Sequence, residues 1–222
     1  MNAKSISNLN LLKVFDEHSH DTYYGCNQEW YATEWQRRSG CGPTAVCNII
    51  NYLNHTQSTS GLKQDCDNKE NSLSFLEDVW KYVTPTIDGI PTTKMFYEAV
   101  ISYTKSKGLN VEYRFCDVPE DKSIRPKLGD VVNFLEGALS KDAPIAFLNL
   151  SNGDEKNLEP WHWVTIISLD NTEDENMAFV NILDGGLIKK IDLSLWYNTT
   201  TLGGGFVYFT ASPDQQKSEI VS

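Results

Sequence analysis

The chain has 222 residues, 40% of them hydrophobic, with six Trp, ten Tyr and nine Phe, enough apolar surface for one sizeable core without disulfide or metal staples. Nineteen basic against thirty acidic side chains leave a net charge of −11, which repels phosphate backbones and anionic lipid and sets nucleic-acid and membrane-surface partners aside. No signal-like apolar run lies within Met1 to His20, no segment approaches ~20 apolar residues, and the five scattered cysteines form no Cys-x-x-Cys pair, so the expectation is a cytoplasmic protein with free thiols.

Neither an internal repeat nor a linker divides the chain. It reads as one domain over 1–222, with a core from about 22 to 212 and frayed ends in the first dozen residues and in Pro213 to Ser222. The run Asp16-Glu17-His18-Ser19-His20-Asp21 would place two rings on one face of a strand, as zinc ligands need. Its composition favours a solvated polar loop, and no metal is expected.

Pro43 suits an opening helical turn, where a missing N–H costs nothing. Ala45, Val46, Ile49, Ile50 and Leu53 then recur at helical spacing. A second helix is predicted from Ser74, with Glu77 completing a capping box and Pro85 ending it. A third runs from about Thr93 to Lys107 with Gly108 as its cap, and a fourth follows Asp130 through Val132, Leu135, Ala138 and Leu139. Strands are predicted at Pro144–Leu150, Trp161–Leu169, Met177–Leu183, Leu187–Ile191 and Phe206–Thr210, with Asp184-Gly185-Gly186 as a tight turn. Helices first and antiparallel strands later predict a segregated α+β domain.

The sharpest local signal is Ser39-Gly40-Cys41-Gly42-Pro43-Thr44-Ala45 at a helix start. There the unsatisfied N–H groups and the positive end of the dipole favour thiolate over thiol, which makes Cys41 the candidate nucleophile. The flanking glycines remove bulk where a substrate carbonyl would approach. Cys47, inside the helix, is assigned to the core. Of four histidines, His162 opens the apolar strand Trp161 to Leu169, where rigid backbone and neighbouring indoles suit an oriented base. Asp184 closes the next strand and can reach that ring to fix its tautomer, a role compatible with making the turn. Arg37-Arg38 beside the cysteine loop are either a carboxylate clamp or ordinary surface charge. The absence of Gly-x-Gly-x-x-Gly and of a phosphate loop makes a nucleotide cofactor unexpected.

Cys-Gly-Pro-x-Ala opening a helix, a late His on an apolar strand, then Asp before glycine, resemble the bacteriocin-leader-peptidase-like (double-glycine peptidase-like) members of the papain superfamily. The resemblance spans roughly Gln28 to Phe209. It implies a papain-like fold, N-terminal helices packed on a C-terminal antiparallel sheet, and a cysteine hydrolase acting on a peptide or small amide without a cofactor. It also implies a glutamine in the oxyanion hole a few residues before the cysteine. Gln36, five residues ahead, is favoured because a short loop delivers it simply, and Gln28 is the alternative. An acyltransferase or amidase on the same fold stays open. So does a silent binding module, although retention of all three polar partners argues against it.

Overall fold

The first residues belong to the sheet. In the computed structural model, which describes residues 2–57, 66–171 and 177–212, Asn2–Ser5 (β1) pairs antiparallel with residues 168–171, and the Ile6 N–H continues the ladder to the Ile167 carbonyl at 3.0 Å. Leu12 is 1% exposed. The expectation of a frayed start is therefore corrected, because pairing and apolar burial anchor this segment. Pro213 to Ser222 lie outside the described residues.

The chain continues through a small hairpin, Lys13–Phe15 (β2) and Thr22–Tyr24 (β3), to Glu34–Ser39 (α1) and Cys41–Thr56 (α2). Then come Lys69–Trp80 (α3), Thr93–Ser106 (α4), Val111–Val118 (β4), Leu128–Leu139 (α5), Ile145–Asn149 (β5), His162–Asn171 (β6), Ala178–Asp184 (β7), Leu187–Asp192 (β8), Leu193–Thr199 (α6) and Gly204–Ala211 (β9). The main sheet is antiparallel, in the order β4-β9-β5-β6-β7-β8, with β1 also paired to β6.

Successive strand residues point to opposite faces, and both faces are covered. Ile145, Phe147, Val164, Phe206 and Tyr208 join one apolar cluster with residues of α5 and α6. Ala146, Leu148, Trp163, Val207 and Phe209 join the other with residues of α2, α3 and α4. The helices thus divide between the faces rather than forming one N-terminal layer. β4, interposed between α4 and α5, also breaks the predicted segregation. It is an edge strand carrying Glu112, Arg114 and Asp117 among its apolar residues, so its sequence lacks a buried-strand pattern.

Helix α3 begins earlier than predicted. Asn68 caps it by accepting from the Asn71 N–H at 2.9 Å, which leaves Ser74 inside the helix, and the helix ends at Trp80, well before Pro85. Helix α2 departs in another way. Every residue from Gly42 to Leu53 is buried, the polar Thr44, Asn48 and Asn51 included, so the helix is enclosed rather than half-solvated.

Candidate active site

Cys41 is the first residue of α2, and α1 runs up to it through Gly40. A Cβ at Gly40 would lie 2.5 Å from the Gln36 carbonyl oxygen and 2.7 Å from the Tyr31 ring; one at Gly42 would lie 2.8 Å from Ile90 Cδ1. Close packing around the cysteine is by itself enough to require these two glycines. Pro43 falls at the third helical position, where no intrahelical N–H bond is lost. Cys47 is fully buried.

His162 opens β6 opposite Asn149 of β5. Buried Asn149 accepts from Trp196 Nε1 at 2.7 Å and donates to the Glu159 carbonyl at 2.5 Å, pinning the chain just ahead of the histidine. Trp161 enters the strand with φ 55°, a left-handed conformation uncommon for a bulky residue and concentrated at functional sites. Asp184 ends β7, and Gly185 and Gly186, with φ 61° and 79°, turn the chain into β8.

The His162 ring donates through Nε2 to Asp184 Oδ1 at 2.7 Å. That leaves Nδ1 as the ring nitrogen for the Cys41 sulfur, a neighbour that shares the cleft and interacts with the imidazole. Burial, the largest effect, disfavours the imidazolium. The Asp184 hydrogen bond and the Cys41 sulfur outweigh it and push His162 up to about 10. Burial likewise disfavours the Asp184 carboxylate, yet His162 and Lys189 hold it down at about 2. Lys189 Nζ stands 2.6 Å from Asp184 Oδ2.

A cleft of about 180 Å³ brings Cys41, His162, Asp184, Lys189 and Gln28 to one surface. Gln36 is not among its lining residues. Its Oε1 accepts from the Thr33 hydroxyl at 2.9 Å in a capping box, and its Nε2 donates to Glu77 at 2.8 Å. Gln28 reaches the cleft because its segment is fastened at three points. The Cys26 N–H donates to buried Asn48 of α2 at 2.7 Å, Asn27 donates to the Gly185 carbonyl at 3.0 Å, and Gln28 itself donates to the Arg37 carbonyl at 2.9 Å.

Asn48, Asn149 and Lys189 escaped the sequence reading. Asn48 interrupts an apolar helical face and Asn149 ends an apolar strand, so an out-of-place polar residue was the available signal. Lys189 gave none. The two arginines separate: Arg37 donates to the carbonyls of Tyr31 and Ala32, whereas Arg38 lines a second depression beside Cys41. Asp16 is turned inward to Lys69 at 2.8 Å and to the His18 N–H at 3.0 Å. Among the described residues no group of three His, Cys, Asp or Glu is arranged to hold a metal, and no helix is long and apolar enough to cross a membrane.

The fold is α+β with an antiparallel sheet, and one cleft gathers a thiol, an imidazole and a carboxylate. No family model matches the chain, and no curated protein matches it in sequence. Among solved structures the chain is similar to UfSP from C. elegans, a protein of the papain-like fold. The TM-score is 0.54 at 10% identity, over 96% of this chain and 35% of that one. The chain thus spans about a third of that protein's length, and the likeness establishes the fold.

Proposed function

We propose that the chain is a cysteine hydrolase of peptidase type, acting by acyl transfer through a Cys41 thioester. The observation that carries this reading is the convergence of Cys41, His162, Asp184 and Gln28, from four separate segments, on one cleft. The structural neighbour is a cysteine protease, which supports the same class.

With Asp184 holding Nε2, His162 presents Nδ1 to the sulfur and keeps the proton as imidazolium, leaving Cys41 as the nucleophile. Attack on a carbonyl places negative charge on its oxygen, and in this reading the Cys41 N–H and the Gln28 amide hydrogen not given to the Arg37 carbonyl stabilise it. His162 then protonates the departing amine and the thioester remains. In the second half His162 takes a proton from water, the hydroxide displaces the sulfur, and the acid leaves.

Brief iodoacetamide labelling at neutral pH followed by peptide mapping tests the nucleophile. Cys41 is expected to alkylate before Cys26, Cys47, Cys66 and Cys116, with loss of any hydrolysis, and chelators are expected to leave hydrolysis unchanged. An inert Cys41 beside a faster-reacting cysteine sinks the assignment.

A further inference from the structure

The main sheet ends at β8 on one side and at β4 on the other, and the two ends are finished differently. Around β8 the outward backbone groups are met. The Gly186 carbonyl accepts from the Tyr24 N–H at 2.8 Å, the Lys190 carbonyl accepts from Asn157 at 3.3 Å, and the Asp192 N–H donates to Glu155 at 2.8 Å. β4 gives one side of its ladder to β9 from Val111 to Val118. Among the described residues no other backbone segment bonds to it, and the one side chain on its backbone is its own Arg114, at 3.2 Å from the Tyr113 carbonyl. An open edge of eight residues is a template for a further strand.

Side chains along this edge alternate in chemistry. Val111, Tyr113 and Phe115 fall on the α4 face, where Tyr113 stacks on Tyr97 at 4.3 Å and Phe115 approaches the same ring at 5.4 Å. Phe115 is 47% exposed. Glu112 and Arg114 fall on the opposite face, and both are exposed. Together with Ile101 these residues line a groove of about 530 Å³ along the edge. Charges at an edge turn away any strand that does not answer them, so the occupant must place an acid opposite Arg114 and a base opposite Glu112.

The sequence of β4 itself supplies that partner. In a symmetric antiparallel pair, residues whose bonds point outward face one another and residues whose bonds point inward face one another. A strand meeting its own copy therefore turns about a single residue. Centring on Glu112 opposes two carboxylates, and centring on Arg114 opposes two guanidiniums. Centring on Phe115 sets Arg114 against Cys116 and Glu112 against Val118, with no charge answered. Centring on Tyr113 sets Glu112 against Arg114 twice, Val111 against Phe115 twice, and one Tyr113 against the other. We propose that β4 pairs with β4 of a second copy of this chain about a twofold axis at Tyr113, joining the two main sheets into one. Such an interface is closed and self-complementary, as a twofold dimer requires. It does not depend on the hydrolase reading, since the groove and the cleft at Cys41 share no lining residue.

Sedimentation velocity on the full chain, from micromolar to sub-millimolar concentration, tests this. A reversible monomer–dimer equilibrium is expected. A monomer at every concentration overturns the proposal, and so do assemblies that keep growing beyond the dimer. Glu112→Arg and Arg114→Glu each set like charges against one another at both paired positions, and each is expected to weaken association roughly tenfold or more. An equal mixture of the two variants is expected to dimerise again, because every contact between unlike chains then joins opposite charges. The double variant Glu112→Arg/Arg114→Glu should likewise dimerise by itself. Dimers untouched by both single substitutions, or a mixture that stays monomeric, place the interface elsewhere and overturn the register. Melting temperatures measured below the dissociation range guard against misfolding: both side chains are exposed, so the monomers are expected to melt alike.

Discussion

At the scale of single residues, the site is governed by how two ionised groups survive burial. Isolated, either charge would be costly at such a position; together, the His162 ring and the Asp184 carboxylate offset each other's desolvation at 2.7 Å. Lys189 adds a competing partner for the same carboxylate. In Lys189→Met, Asp184 loses a cation that stabilises its charged form, so its carboxyl should titrate above about 2. The carboxylate is then freed from competition for His162, and the imidazolium should become more stable. The alkaline limb of the pH–rate profile is expected to move up, with turnover changed less than tenfold and Lys189→Arg restoring the original limb; a downward move contradicts this account. Asp184→Ala should cost about 10²–10⁴ in turnover. The same pair sets the pH dependence of stability. Asp184, lowered from 3.8 to about 2, contributes stability present above pH 3.8 and lost as the pH falls to 2. His162, raised from 6.5 to about 10, contributes stability complete below pH 6.5 and lost as the pH rises to 10. Denaturant midpoints of the protein and of Asp184→Asn across both windows check this, and parallel curves would deny the pair a stabilising role.

At the scale of elements, chain connectivity decides which amide serves the cleft. A glutamine five residues from Cys41 is near in sequence, but α1 turns Gln36 into a capping box with Thr33 and toward Glu77. Gln28 sits on a short turn that Asn48 and Gly185 tie to the elements carrying Cys41 and Asp184. The two are separable by experiment. Gln28→Ala is expected to lower kcat by about 10²–10³, as loss of an oxyanion donor does, with an unchanged denaturation midpoint. Gln36→Ala is expected to cost about 1 kcal/mol of stability through the lost cap and to leave kcat nearly unchanged. Reversal of these two outcomes would return Gln36 to the oxyanion hole.

At the scale of the whole molecule, the sheet is the frame that sets the candidate site residues against one another. β6 and β7 bring His162 and Asp184 together, α2 packs across the same sheet face to present Cys41, and β1 closes the far half of β6. Removing residues 1–6 should therefore unpair residues 168–171 and expose apolar side chains beneath them. The expected result is a lower melting temperature with the cleft's chemistry retained below the transition. An unchanged melting temperature would mean that β1 contributes no net stability.

Much of this was open to sequence reasoning because it is local. Apolar periodicity places α2 and α5 and the strands from Ile145 onward, and a glycine cap marks the end of α4, since burial on a helix or strand face writes its period directly into the chain. The candidates Cys41, His162 and Asp184 were singled out from helix-start chemistry, an apolar strand and a turn, each a property of a few consecutive residues. What the sequence could not carry was orientation across the fold. Edge strand β4 hid because an edge asks for no continuous apolar run. The start of α3 depended on which of two polar residues, Asn68 or Ser74, tertiary packing would admit as a cap. Whether Gln28 or Gln36 turns toward Cys41, and that Lys189 stands on Asp184, depend on side chains meeting across long stretches of sequence. Such meetings are decided by sheet register and helix packing, which only the assembled tertiary structure supplies.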